Sequence, residues 1–413
     1  MTASNGSIVV IDPVSSARRY GVEIRKKGYK SIALITRKQY PGQLQRLHSV
    51  EGFDEVIHVN GGATASKVLL TQNVKAVIPG SDSALKFCDQ IAKELSVRGN
   101  PTESYRARVN KLEMKKRLIA KGVPATQSYE ISLDSLSSGL PIELPFPVVV
   151  KPSQGTGSKN VKICDSRSDI YKALAAIEST NDSYNSDEKL ALVEEFIHGQ
   201  EYFIATANLG NAASKKILCM AKYEKIQIGN SPSVYKNIRS IPPIGPVAER
   251  AFEYIRSINA ALDFNVGIND VEFKINQAGH FVIEQNGRLP GANVPSLIEL
   301  CTGINCYDLN LDLYLGNTTL DISAEYTKHF CICCLISNSN GVLKEIDGVP
   351  EIEKLSSFHS ASLLVAPGDK VDATMDFLST WGFVYLVHED PETLNIHAET
   401  VHALMKMKFQ EAS

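Results

Sequence analysis

Four residues in one short stretch, Glu272, Glu284, Asn286 and Arg288, have the types and spacing to do chemistry together. They sit in V-G-I-N-D-V-E-F-K-I-N-Q-A-G-H-F-V-I-E-Q-N-G-R-L-P-G, Val266 to Gly291. Apolar alternation at Val271 to Ile275 and at Phe281 to Ile283 flanks a polar break with a glycine, the pattern of an antiparallel hairpin. Pairing Asn276 with His280 leaves Gln277, Ala278 and Gly279 as the loop, with Gly279 free to turn left-handed. That register sets Glu272 directly opposite Glu284. Because side chains alternate along a strand, Glu272 and Lys274 share a face with Glu284 and Asn286, while Val271, Phe273, Ile275 and Ile283 turn to the other. Like charges across a ladder destabilise it unless something positive lies between them. An oxygen-rich site with few protein ligands suits Mg²⁺, which keeps waters and shares substrate phosphates. Arg288 continues the same face, where it can meet developing negative charge. A surface hairpin with a wet polar face accounts equally well for Glu272 and Glu284 alone. Asn286 and Arg288 in phase with them favour a site.

A second candidate is Val148-Val149-Val150-Lys151-Pro152-Ser153-Gln154-Gly155-Thr156-Gly157-Ser158, a strand running into a small-residue loop. Its glycines let backbone amides face an anion, and Lys151 at the strand end can neutralise phosphate. A solvated hairpin is the commoner reading of such a segment taken alone.

The rest of the chain must position these groups. Its 413 residues suggest two to three domains. Hydrophobic content of 43% and charged content of 22% are those of a soluble globular protein. A net charge of −3 lacks the basic field that nucleic acid requires, so small-molecule partners are expected. The first ten residues lack the flank and apolar core of a signal peptide, and no apolar run is long enough to span a bilayer. Eight cysteines, none in a metal-type Cys-x-x-Cys pair because the spacing of Cys331 and Cys334 falls in an apolar run, argue for a reducing compartment, so a cytoplasmic location is expected. Cys331, Cys333 and Cys334 read as small core residues of a buried strand.

Residues 1–100 alternate short apolar strands with helices, which implies a wound parallel α/β domain. No G-x-G-x-x-G follows the first strand, which counts against a dehydrogenase. Residues 101–190 form a central domain carrying Lys111 and the glycine-rich loop, with the polar run 181–189 read as a loop. Residues 191–413 hold the hairpin and, from about residue 325, an extra α+β unit expected to stand separately. Within that region residues 227–246, rich in Pro, Ser, Asn and Gly, are a candidate substrate loop. Residues 370–380 and 391–411 are expected to be helical.

Asn110-Lys111, Lys151 with Gly155 to Ser158, Glu194-Glu195-Phe196-Ile197 with Glu201, and Glu272 with Glu284-Gln285-Asn286-Gly287-Arg288 follow the order and rough spacing of the ATP-grasp superfamily. Within it the chain looks most like the bacterial L-amino acid ligases, which make dipeptides or dipeptide-like antibiotics. The resemblance covers almost the whole chain. It implies an α/β and α+β multidomain protein with an ATP-grasp fold behind the N-terminal wound domain. By resemblance, Lys111 and Lys151 contact the ATP phosphates, and Gly155, Thr156, Gly157 and Ser158 form the loop that closes over them. Glu194, with backbone groups of Glu195 and Ile197, meets the adenine edge, and Glu201 meets the ribose. Lys222 contacts the terminal phosphate in a loose alignment. Glu272, Glu284 and Asn286 match the magnesium ligands, with Mn²⁺ as an alternative metal, and Arg288 matches the arginine that steadies the transition state. Asn110 stands where many relatives have aspartate.

The implied activity is ligation of a carboxylic acid, an amino acid or similar, to an amine through an acyl phosphate, giving ADP and phosphate. The chemical reason is that a carboxylate is a poor electrophile until its oxygen becomes a leaving group. Phosphoryl transfer is mostly positioning and charge neutralisation, which lysines, a metal and an arginine supply. Two alternatives remain open: carboxylation through carboxyphosphate, and nucleotide binding without turnover. A homodimer is one expected assembly.

Overall fold

Short runs of β-branched and aliphatic residues, each closed by a turn residue, build the first sheet of this computed structural model. The structure describes residues 5–40, 42–59, 62–132, 145–155, 157–179, 190–210, 215–228, 231–317, 322 and 325–410. Strands β1 (Ser7–Ile11), β2 (Lys30–Ile35), β3 (Glu55–His58) and β4 (Val74–Pro79) lie in the order β3-β2-β1-β4. All three pairings are parallel. β1 is buried along its whole length, as a parallel strand covered on both faces must be. The chain winds outward from β1 to β3 and then returns to β4, so β1 and β4 flank the topological switch point. Ligands of open α/β sheets bind beyond the carboxyl ends of strands at such a point. The segments there are Val14 to Ala17 after β1 and Gly80 to Asp82 after β4.

The helix Lys111–Ala120 begins at Asn110, whose side-chain oxygen accepts from the amides of Leu112 (2.9 Å) and Glu113 (3.1 Å). The amide side chain thus caps the helix as aspartate would and holds Lys111 in its first turn. Just before it, the buried Arg108 donates to Asp89 (2.7 Å), to Ser104 Oγ (2.7 Å) and to the Leu262 carbonyl (2.9 Å), tying the first domain to the last.

Strands β5 (Ser128–Ile131), β6 (Val148–Pro152), β7 (Lys162–Cys164) and β8 (Ala191–Glu195) form an antiparallel sheet in the order β5-β8-β6-β7. The helix Arg167–Ser179 covers one face, with Ile170, Leu174 and Ile177 packed on Val148, Val150 and Val193. β8 completes this sheet, so a boundary at residue 190 falls inside it. Thr156 and the run 181–189 lie outside the described residues.

The largest sheet is antiparallel throughout. It comprises β9 (Gln200–Leu209), β10 (Lys215–Ile228), β11 (Ser231–Ile241), β12 (Val266–Asn276), β13 (Gly279–Asn286), β14 (His329–Leu335), β16 (Phe358–Leu363) and β18 (Gly382–His388), with β15 (Gly341–Asp347) between β14 and β16 in the chain. Its order is β13-β12-β9-β10-β11-β14-β18-β16. The residues from about 325 therefore continue this sheet instead of standing apart, because β14 bonds to β11 with Asn237 opposite Cys333. Residues 227–246 hold the whole of β11 rather than a long loop, since ladder partners on both sides override their turn-rich composition. Residues 370–380 are not helical: they form β17 (Lys370–Val371), a bend, and a single 3₁₀ turn, Phe377–Ser379, which Asp376 and Ser379 cap reciprocally. The helix at the end of the chain, Pro391–Leu404, stops at Leu404 and gives way to β19 (Lys406–Phe409).

All eight cysteines are free and buried, and Cys331, Cys333 and Cys334 are core residues of β14. Among the described residues, no helix is long and apolar enough to cross a membrane.

Candidate active site

The β12–β13 hairpin sets Glu272 directly opposite Glu284, and it does so by a route the residue pattern does not show. The turn is one residue tighter than expected: Asn276 pairs with Gly279, leaving Gln277 and Ala278 as the loop, and the Ala278 amide donates to Asn276 Oδ1 (2.8 Å). Phe273 then pairs with Val282, so Val282 and not Ile283 packs in the core with Val271 and Phe273. Ile283 is an extra residue in β13, a bulge that restores the register at Glu284. Asp270 pairs with Asn286 one step further.

The hairpin's polar face forms one side of a cavity of about 290 Å³. The opposite sides come from the central sheet, the end of β1, the end of β4 and the Phe377–Ser379 turn. Arg288 stands between two carboxylates. Its Nη1 donates to Asp270 Oδ2 (3.1 Å) and its Nη2 to Asp82 Oδ2 (3.1 Å), with Nε 3.0 Å from Asp82 Oδ1. Asn286 Nδ2 donates to Asp270 Oδ1 (2.6 Å). Lys111 Nζ donates to Glu284 Oε1 (2.7 Å) and to the Gly155 carbonyl (2.9 Å), so one ammonium joins the hairpin to the glycine loop.

Deeper in the cavity, Glu194 lies between the ammoniums of Lys115 and Lys151, and Ser128 Oγ donates to it at 3.1 Å. Burial pushes the Glu194 carboxyl up, but the two lysines outweigh it and hold the pKa down to about 2. Burial brings Lys115 down to about 8 against the pull of Glu194. Glu201 accepts from Lys225 (2.5 Å), which also lies 4.1 Å over the Tyr235 ring. Glu195 accepts from the Gln127 amide (3.3 Å), and the Ile197 carbonyl accepts from Lys274 Nζ (2.9 Å). Ser158 Oγ and Tyr235 Oη are 3.2 Å apart. Gly157, with φ +71°, takes a backbone conformation that a side chain resists.

Lys111, Lys151, Gly155, Gly157, Ser158, Glu194, Glu195, Ile197, Glu201, Glu272, Glu284, Asn286 and Arg288 all line this one cavity. Lys222 does not; its ammonium pairs with Glu224 at 3.0 Å. The strand's phase explains this, because Tyr223 and Lys225 face the cavity and their neighbours Lys222 and Glu224 point away. Lys225 is thus the β10 lysine at the site. Asp82, Lys115, Tyr223, Lys225 and Asp270 also line the cavity and were not among the expected residues, whereas Lys274, expected on the polar face of the hairpin, and Tyr235, from the 227–246 run, line it too. Asp270 had a visible signal: it lies two residues before Glu272 on the same strand face.

Negative charge is crowded along the hairpin. Burial, with Glu284, Asp270 and Glu201 adding repulsion, raises the Glu272 carboxyl to about 8. Burial raises Asp270 to about 6 although Arg288 and Asn286 pull it down. Tyr223 Oη donates to Glu272 Oε1 at 3.1 Å. Buried carboxylates in this state gain from a hard cation among them, and carboxylate and amide oxygens are the donors that Mg²⁺ takes. Among the described residues, no three His, Cys, Asp or Glu side chains are gathered closely enough to hold a metal as they stand, with Glu284 turned to Lys111.

Residues 144–296 match the family model of the ATP-grasp domain, and residues 334–409 match that of the L-amino acid ligase C-terminal domain 2. The crystal structure of an L-amino acid ligase from Bacillus licheniformis superposes with a TM-score of 0.81 at 18% identity, covering 99% of this chain and 100% of that one. Dapdiamide A synthase of Enterobacter agglomerans is 24% identical over 82% of this chain and 81% of its own length. An uncharacterized protein of Sinorhizobium fredii is 23% identical over 76% of this chain, and the match spans 64% of that relative, less than two thirds of its length. Fold, cavity and family match agree that residues 144–296 form an ATP-grasp domain. The chain resembles the bacterial L-amino acid ligases, whose C-terminal domain 2 its residues 334–409 match.

Proposed function

We propose that this protein is an ATP-dependent, ADP-forming carboxylate–amine ligase that joins amino acids, or an amino-acid-like acid and an amine, through an acyl phosphate. The observation that carries the reading is a single cavity lined by lysines, a glycine loop and Arg288, which is held between Asp82 and Asp270. Such a cavity suits transfer of a phosphoryl group onto a carboxylate rather than onto water.

In this reading, Lys111 and Lys151 neutralise the phosphates, each released from a carboxylate it holds in the absence of nucleotide. Glu194, with Lys115 on it, and the backbone of Glu195 and Ile197 border the base, with Glu201 and Lys225 toward the sugar. Glu272, Glu284 and Asn286 would hold Mg²⁺, with Asp270 beside them and Mn²⁺ as a substitute. When bound, the metal would neutralise negative charge as the phosphoryl group moves. Arg288 presents guanidinium donors to the oxyanion that forms when the amine attacks, a contribution of about 3 to 4 kcal/mol per donor at comparable sites. The glycine loop, reached by Lys111 through Gly155, excludes water that would otherwise hydrolyse the acyl phosphate.

The test is phosphate release from MgATP across single L-amino acids and all their pairs, with mass spectrometry of positive wells. Release requiring two amino acids, with an amide product, is the expected result. Release that needs bicarbonate and no amine would replace the ligase with a carboxylase. Nucleotide binding with no turnover under any acceptor would reduce the protein to a binding module.

A further inference from the structure

The cavity's walls differ sharply in chemistry. Its ATP-grasp and central-domain side carries nearly all the charge, while the side contributed by the N-terminal domain and the C-terminal segment is apolar. Val14, Ala17, Leu44, Leu47, Phe377 and Leu378 line that side, and Asp82, already paired with Arg288, is the one charged residue the two segments add among the described residues. Leu378 packs into the small cluster of Val14, Tyr40 and Leu44. Phe377 meets Tyr235 edge-on at 5.2 Å. The wall adjoins Arg288, since Asp82 follows directly on Gly80 and Ser81 at the end of β4. An acid whose carboxyl lies at Arg288 has this apolar wall in the same cavity to receive its side chain. Within the same wall, Ser16 Oγ is buried without a hydrogen-bond partner among the described residues, a hydroxyl available to a polar substrate group.

The recess is also joined to the glycine loop. The Phe377 amide donates to the Gly157 carbonyl (3.3 Å), and a Cβ on Gly157 would come within 2.6 Å of Leu378 Cγ. Arg46 of the N-terminal domain reaches Asp369 (3.2 Å) and the Leu364 carbonyl, so the C-terminal segment is fastened to the first domain beside the recess.

We propose that the acid substrate carries an apolar side chain, selected by a recess that Leu44 and Leu47 form with Phe377 and Leu378, the last of which abuts the glycine loop. The inference rests on the ligase reading above. An apolar recess strongly disfavours a charged side chain, whereas it discriminates among apolar ones only by size.

The test determines kcat and KM for acids paired with one fixed amine, in the full-length protein. Leucine, methionine and phenylalanine are expected to exceed aspartate and lysine as the acid by at least a hundredfold in kcat/KM. Leu378→Ala should raise KM for those apolar acids about tenfold while changing KM for MgATP less than twofold. Leu47→Glu, at a half-buried position that folding tolerates, should shift preference toward lysine or arginine as the acid, which a merely structural role for the wall would not produce. A wild-type preference for charged acids would overturn the inference and leave the ligase intact. Equal loss for every acid in Leu47→Glu would overturn it as well. No phosphate release with any pair would remove the ligase reading itself, and the inference with it.

Discussion

Replacing Glu194 with glutamine isolates the electrostatics at the floor of the cavity. The carboxylate is nearly inaccessible, at 6% exposure, and faces Lys115 at 1% and Lys151 at 4%. Its pKa, held at about 2 against an ordinary 4.5, is a statement about stability. At about 1.4 kcal/mol per pH unit, the difference contributes about 3 kcal/mol near neutrality. Because the folded-state pKa is depressed, that stability is fully present above pH 4.5 and is lost as pH falls toward 2. About 2 kcal/mol of it should be gone between pH 7 and pH 3. Glu194→Gln leaves two buried ammoniums without their counterion, a change that costs about 3 to 5 kcal/mol in comparable pairs. Lys115, already brought down to about 8, then loses the group that keeps it charged and should deprotonate at lower pH still. The assay is urea unfolding of the ligand-free wild type and variant at pH 7, 5 and 3. Between pH 5 and pH 3, below the range in which Lys115 of the variant titrates, the wild type should lose about 2 kcal/mol more than the variant, with the other carboxylates cancelling in the difference. Equal losses would refute the placement of a charged Glu194 between the two lysines.

Three other perturbations test separate parts of the site. Glu284→Gln should lower ligation by about a hundredfold or more, since a metal contributes several kcal/mol to charge stabilisation, with little change in the melting curve; normal turnover at unchanged Mg²⁺ dependence would remove Glu284 from the metal site. Arg288→Lys keeps the charge but loses the fork between Asp82 and Asp270, and kcat should fall about 10²-fold to 10³-fold while KM for ATP holds; a rise in KM with kcat unchanged would contradict the oxyanion role. Arg108→Met should destabilise the fold by about 3 to 5 kcal/mol by stranding Asp89 and the Leu262 carbonyl, measured by denaturant unfolding; a loss under 1 kcal/mol would show that the junction it ties is not cooperative.

How far the site could be read from residues alone depends on the range over which each group acts. The Glu272, Glu284, Asn286 and Arg288 face follows from a period of two within one hairpin, a local rule, and it emerged despite a wrong turn. Expecting a three-residue loop and overlooking a bulge at Ile283 are errors of opposite sign, and they cancel at Glu284. The same errors do not cancel nearer the turn, which is why Val282 and not Ile283 fills the core. Lys222 failed because strand phase decides between it and Lys225, and no residue in the turn-rich run after Ile226 pins that phase. Asp82 lies just beyond β4, but its partner Arg288 is 206 residues away, and only the switch point of the first sheet brings the two together. Phe377 and Leu378 looked helical for a related reason: their conformation is set by a two-residue strand, a capped turn and contacts with a loop more than two hundred residues earlier, none of which leaves a periodic trace. The residues proposed for nucleotide chemistry fall in local patterns because phosphate demands the same donors wherever it binds. Those expected to choose the substrate come from segments joined only by tertiary packing, so the fold had to be seen before an apolar acid could be inferred.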